Sequence, residues 1–204
     1  MSNLSTTSEE ILASAQKLIV AGGYNGFSYA NIAAVVGIRK ASIHHHFPSK
    51  VDLVRTLVLR YRESAEASMA ELEGNVPEPL ELIQTYAGHW ARCIEDASFP
   101  FCVCALLASE LPALPEEVAV EVRAFFRSLS AWLASVMERG QQQGSLNISG
   151  TPRVEAEALM ATIHGAMLSA RAYGTPDVFA TILGPALQRL KPYESDAGRL
   201  SRTR

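Results

Sequence analysis

Residues 28–50, SYANIAAVVGIRKASIHHHFPSK, read as a short helix, a glycine turn and a second short helix rich in hydrogen-bond donors. Ser28 is an N-cap candidate, because its side-chain oxygen can take one of the unpaired amides that open a helix. Ile32, Val35 and Val36 recur at helical spacing, and Gly37 follows where a left-handed residue ends a helix at least cost. Ile38, Ile43 and Phe47 give the next helix its apolar face. Arg39, Lys40, Ser42, His44 and His45 are left to point outward. Donors on the outer face of a short helix held against another suit reading of base edges in a major groove.

The stretch and its flanks resemble the DNA-binding half of the TetR/AcrR family of bacterial transcriptional regulators. Gly23, Tyr24, Ser28, Ile32, Ala33, Gly37, Lys40, His45, Phe47, Lys50 and Leu53 stand where the family pattern has those residues. Ile38, Ala41, Ser42 and Ile43 are close replacements, whereas Phe27, Tyr29, Arg39, His44 and His46 depart from it. The resemblance covers about a quarter of the chain. It implies phosphate contacts at Lys40, His45 and Lys50, base or phosphate contacts at Arg39, Ser42 and His44, and Ser28 at the DNA-facing helix start. The run His44-His45-His46 also raises a metal reading. Neighbouring side chains on a helix point about 100° apart, whereas helical metal ligands are spaced by three or four. No metal site and no cofactor are expected.

With 204 residues, 48% hydrophobic and 19% charged, the chain has enough apolar material for a sizeable core and does not read as disordered. Its net charge of −3 conceals an asymmetry. Residues 1–62 hold seven Lys/Arg against three Asp/Glu, or +4; residues 63–204 hold eleven against eighteen, or −7. A basic front on an acidic remainder suits binding of a polyanion by the front. The polar start MSNLSTTSEE lacks a secretory signal, and no apolar run is long enough to span a bilayer. Three cysteines argue against a disulfide framework. The expectation is a cytoplasmic chain with no membrane partner.

Helical periodicity continues throughout, and about nine helices are expected. Thr7 and Glu10 form a capping-box pattern. A long helix is expected from Pro48 to about Glu73, closed by Gly74-Asn75-Val76-Pro77. Helices then follow over 79–96, 102–110 and 116–143. Thr151-Pro152 and Thr175-Pro176 open the last two. The fold class is therefore all-α. By resemblance it is TetR-like: a three-helix, helix-turn-helix DNA-binding head over 1–50, a ligand-binding and dimerisation body over 51–192, and a frayed tail over 193–204.

Three further groups stand out in the body. Trp90, Cys93, Phe99, Phe101, Cys102, Phe126, Met160 and His164 are candidates to line an apolar pocket, which in the family receives a small-molecule effector. The segment PFCVCALLASELPALP resembles one branch of the family in which a cysteine begins the corresponding helix and some members respond to electrophiles. Cys102 takes that cysteine's place and Glu110 that of a following acidic residue. A thiol at a helix start has a lowered pKa, which would make Cys102 the reactive thiol; equally, Cys102 and Cys104 read as small core residues. Last, Ala158, Thr162, Gly165, Ser169 and Ala172 form a small-residue stripe that permits close helix approach. The resemblance implies a dimer interface there.

The function expected is thus a ligand-responsive repressor that binds a palindromic operator in double-stranded DNA as a homodimer, its effector unidentified. A cysteine-based electrophile or redox sensor of the same fold is the nearest alternative. An architectural DNA binder and a small helical enzyme are alternatives of other classes. Glu110 and His164 are the only acid–base pair the enzyme reading offers, and no phosphate loop or nucleophile elbow accompanies them.

Overall fold

Local capping chemistry sets several helix boundaries, at Gly37, Ser49, Glu78 and Thr151, of which Gly37 and Thr151 stand where the sequence suggested them. The computed structural model describes residues 6–97 and 101–192, so Phe99 and the tail 193–204 lie outside the described residues. The elements are α1 (Thr6–Gly22), α2 (Tyr29–Val36), α3 (Lys40–His46), α4 (Lys50–Asn75), α5 (Pro79–Glu95), α6 (Val103–Ser109), a 3-10 turn (Leu111–Ala113), α7 (Glu116–Gln143), α8 (Pro152–Tyr173) and α9 (Asp177–Arg189). No strand occurs among the described residues.

Three starts differ from expectation. Thr175 does not cap α9, which begins at Asp177 after Pro176; the Thr175 hydroxyl instead donates back to Tyr173 O at 3.3 Å. Thr7 lies inside α1 rather than at its cap. The fourth helix begins at Lys50, two residues after Pro48, because Ser49 and Asp52 cap it reciprocally. The Ser49 amide and hydroxyl donate to Asp52 Oδ2 at 3.1 and 2.6 Å, and the Asp52 amide donates to Ser49 Oγ at 3.1 Å. A proline has no amide to offer such a box. At α8 the expected cap is present, with Thr151 Oγ1 accepting from the Val154 amide at 3.3 Å.

The described chain divides into two compact units. The first draws on Met1–Ala70 and Phe99–Leu129, the second on Glu71–Ser98 and Ser130–Arg204. In the first unit, α1, α2 and α3 are 17, 8 and 7 residues long, too short to close a core by themselves. Ile11, Ile19, Ile32, Ile43 and Phe47 are buried, and so are Leu53, Val54 and Val58 from the start of α4. Helix α6 packs against α1. Val35, expected inside, faces solvent; the buried residues of α2 are Tyr29 and Ile32. Arg62 of α4 pairs with Glu66 at 3.0 Å and with Glu121 of α7 at 3.6 Å, and the Ser128 hydroxyl donates to Glu66 at 2.8 Å. The Ser128 bond, with help from Arg62, holds the Glu66 carboxyl below its ordinary pKa against the opposing effect of burial.

In the second unit α8 and α9 pack along one another, and α5 meets α9. Leu159, Ile163, Ala166, Met167 and Ala170 of α8 and Phe179 and Leu183 of α9 are buried. Trp132 Nε1 donates to Glu73 at 3.2 Å, and Arg139 pairs with the same carboxylate.

Candidate nucleic-acid interface and sensory body

Helix α3 is oriented by its apolar residues. Ile43 is fully buried and Phe47 nearly so, which turns Arg39, Lys40, His44 and His45 into solvent and leaves Ser42 half-buried. Gly37 makes the preceding turn at φ 76°, where its amide bonds Ala33 O at 3.0 Å and the Ile38 amide bonds the same oxygen at 3.2 Å. Ser28 is exposed at the start of α2. Its amide and hydroxyl both donate to Asn31 Oδ1, at 2.8 and 2.7 Å. Asn31 therefore supplies most of the cap that the sequence suggested for Ser28.

The three histidines have separate partners. His46 Nδ1 lies 3.0 Å from Ser8 Oγ and ties α3 to α1. His44 Nδ1 lies 3.2 Å from Pro48 O, and the ring tilts against Tyr29 at 4.7 Å. A carbonyl only accepts, so Nδ1 carries the proton of that bond and neutral His44 presents Nε2 as an acceptor. Tyr29 donates its hydroxyl to Phe47 O at 2.9 Å. Burial first, then the charge of Asp52, pushes the Tyr29 phenol up to about 12. It is a neutral donor at any ordinary pH.

Lys50 is placed differently from the lysine that the family resemblance implies. It is half-buried, its Nζ donates to Phe27 O at 2.6 Å, and it lies over the rings of Phe27 and Tyr24 at 4.2 and 4.8 Å. Burial pushes its pKa down, and the Glu110 carboxylate opposes this.

The effector-lining candidates fall into both units. Phe101 and Cys102 are buried in the first, with Phe126 half-buried there. Trp90, Cys93 and Met160 are buried in the second, with His164 half-buried. Cys102 is the N-cap of α6, as its expected helix start requires, yet it is 0% exposed and its sulfur receives the Tyr61 hydroxyl at 3.5 Å. Burial, then a hydrogen bond with Cys102, pushes the neighbouring Cys104 thiol well up. Cys93 has another setting. Its sulfur is 3.6 Å from Nε2 of exposed His89, one turn earlier on α5. The adjacent Trp90 Nε1 is buried without a hydrogen-bond partner. A separate cavity of about 500 Å³ opens between the start of α8 and the end of α9, lined by Asn147, Glu155, Thr162, Arg189 and Lys191 among others. It contains none of the effector-lining candidates.

On α8 the small-residue stripe is partly turned. Ala158, Gly165 and Ala172 are exposed, but Thr162 and Ser169 are half-buried, and Thr162 Oγ1 donates back to Ala158 O at 2.7 Å. Val154 at 61% and Leu168 at 59% exposed, together with exposed Ala161, complete the outer face. Ile182 of α9 is also exposed. A Cβ added at Gly165 would meet nothing within 4 Å.

Residues 11–57 match the model of bacterial regulatory proteins of the tetR family, and residues 79–183 match the tetracyclin repressor-like C-terminal domain. The chain belongs to the TetR family. A TetR-family transcriptional regulator from Agrobacterium tumefaciens is 60% identical, with a TM-score of 0.89 over 91% of this chain and 98% of that one. The HTH-type transcriptional repressor NemR of Escherichia coli strain K12 is 24% identical over 169 residues, 81% of this chain and 84% of NemR. The reduced form of NemR superposes with a TM-score of 0.80 at 23% identity over 92% of this chain and 100% of that one. The HTH-type transcriptional regulator CymR of Pseudomonas putida is 29% identical over 137 residues, 66% of this chain and 67% of CymR. This chain is accordingly a DNA-binding transcriptional regulator with a helix-turn-helix head. Among the described residues no helix is long and apolar enough to cross a membrane, and no group of three or more His, Cys, Asp and Glu is placed to hold a metal.

Four features of this TetR-family chain escaped the sequence reading. The outer residues of α8 recur as Val154, Ala158, Ala161, Gly165, Leu168 and Ala172, in steps of four and three. That pattern is legible in the sequence, and it differs from the small-residue stripe by taking in Val154 and Leu168. His89 stands four residues before Cys93, a spacing that also could be read. The contact of Glu110 with the head and the inward turn of Lys50 join distant segments and left no local signal.

Proposed function

We propose that this regulator is a repressor that binds a palindromic DNA operator as a homodimer and releases it when a small molecule binds the body. The observation that carries the reading is α3 itself: exposed Arg39, Lys40 and His45 with exposed His44 offering Nε2 as an acceptor, at a helix fixed by buried Ile43 and Phe47. Such a helix fits a major groove, with lysine and arginine meeting phosphates and the histidine and serine meeting bases. The exposed apolar face of α8 and Ile182 of α9 support pairing of two copies. The names of relatives such as NemR support repression rather than activation. No enzyme activity is part of this reading, since the Glu110 carboxylate is occupied by a backbone amide.

Selection of duplexes from a random-sequence pool, followed by footprinting, tests the proposal. The expected product is an inverted repeat whose half-sites are centred about one helical turn, 34–36 Å, or a multiple of it apart. Enrichment of no sequence, or of a single unrepeated half-site, would overturn it.

A second reading makes the body a thiol sensor. It is favoured by the contact of His89 with Cys93 and by the likeness to NemR, whose solved structure is of a reduced form. An imidazole at hydrogen-bond distance can accept the thiol proton as the sulfur attacks an electrophile. In this reading the reactive thiol is Cys93, not the fully buried Cys102.

A further inference from the structure

Glu110 is the C-cap of the short helix α6, yet its carboxylate serves the DNA-binding head. Oε2 accepts the Tyr24 backbone amide at 2.8 Å. That amide follows the end of α1, where Gly23 N–H already closes the helix on Ile19 O at 2.7 Å. Tyr24 is buried, and a buried amide without an acceptor is costly, so the bond to α6 is needed where a helix normally caps itself. Gly23 is built for the approach. Its φ of 77° already disfavours a side chain, and a Cβ there would stand 2.0 Å from Glu110 Oε1.

The charge of the same carboxylate also reaches the start of α4. Lys50, the first residue of α4, lies over the Tyr24 and Phe27 rings and donates to Phe27 O, and Glu110 favours its charged form against burial. The segment that follows α1 thus rests on the carboxylate at the end of α6, and Lys50 of α4 packs on the same Tyr24.

We propose that Glu110 is a positioning residue that fixes the DNA-reading head to α6 in its binding-competent orientation. The inference rests on the DNA-binding reading of α3. It supplies a sensitive geometric link, because a shift of α6 by about 1 Å takes a 2.8 Å hydrogen bond out of range unless the head follows.

The test compares wild type with E110Q and E110A in the full chain, using a duplex that the wild type has enriched from a random pool. Amide exchange at Tyr24, followed by NMR, should be at least about tenfold faster in E110A, with Ile32 and Ile43 unchanged. Duplex affinity, measured well below the melting temperature, should fall about tenfold in E110A. In E110Q, which keeps an acceptor for the Tyr24 amide but loses the charge facing Lys50, it should fall about threefold. The salt dependence of binding should not change, since Glu110 meets no phosphate. Unchanged Tyr24 exchange in E110A would overturn the link. Faster exchange and a lower melting temperature with undiminished duplex affinity would make Glu110 a structural cap only and overturn the positioning role. Failure of the wild type to enrich any duplex would overturn the DNA-binding reading, and the Tyr24 exchange rate would still judge the contact.

Discussion

Lys40 and Lys50 are ten positions apart, and the family resemblance gives both the same expected role, yet their environments separate them. Lys40 is exposed, whereas Lys50 holds Phe27 O under two rings. Lys40→Ala should weaken binding to every duplex and lower the magnitude of the salt slope by about 0.9, one phosphate contact. Lys50→Ala should first destabilise the head, by about 1–2 kcal/mol, because it removes a charge-assisted bond in a half-buried site. Thermal melting alongside salt titrations checks both; a Lys50 variant that melts like wild type but loses salt slope would make it a plain phosphate contact. His44→Ala should instead change base preference in a repeated selection. Tyr29 gives a pH signature. Its folded pKa, about 12, lies above the ordinary tyrosine value, so its contribution to stability is complete below pH 10 and is lost as the pH rises towards 12. Tyr29→Phe should flatten that alkaline loss in melts at stepped pH. Among the thiols, a maleimide should label Cys93 first, and His89→Gln should slow it. Earlier labelling of Cys102 or Cys104 would end the Cys93 reading.

At the scale of the helix, α8 has two faces with different duties. Leu159, Ile163, Ala166, Met167 and Ala170 bury against the rest of the second unit, while Val154, Ala158, Ala161, Gly165, Leu168 and Ala172 stay uncovered. An uncovered apolar stripe of this length is unusual on a monomer surface and fits an isologous contact about a two-fold axis. Gly165→Leu is a clean test. Gly165 is exposed and a Cβ there meets nothing within 4 Å, and leucine is the better helix former by roughly 0.8 kcal/mol, so the isolated subunit should not suffer. Light scattering should show a monomer or an aggregate. A persistent dimer at low micromolar concentration would place the interface elsewhere.

Over the whole molecule, binding of two half-sites depends on two heads held by one dimer. A monomeric Gly165→Leu protein should therefore bind a single half-site about as well as wild type and lose most of its preference for the full repeat, because the second contact is no longer intramolecular. Equal preference in the two proteins would separate dimerisation from operator choice. The basic excess of residues 1–62 acts at this scale too, drawing the head rather than the acidic remainder to the duplex.

The sequence by itself determined the all-α class, the helix order, the turn at Gly37, the Thr151 cap and the outward set Arg39, Lys40, His44 and His45. These follow from local rules: period, capping and glycine's freedom at positive φ act within a few residues. The outer face of α8 was written there as well, in steps of three and four. Tertiary structure alone decided that Lys50 turns inward while Lys40 stays exposed, that Cys102 is sealed while Cys93 meets exposed His89, that Val35 faces out, and that Glu110 accepts the Tyr24 amide beyond α1. Burial and charge pairing depend on residues up to 86 positions apart, the separation of Tyr24 and Glu110, and no local pattern encodes such a meeting.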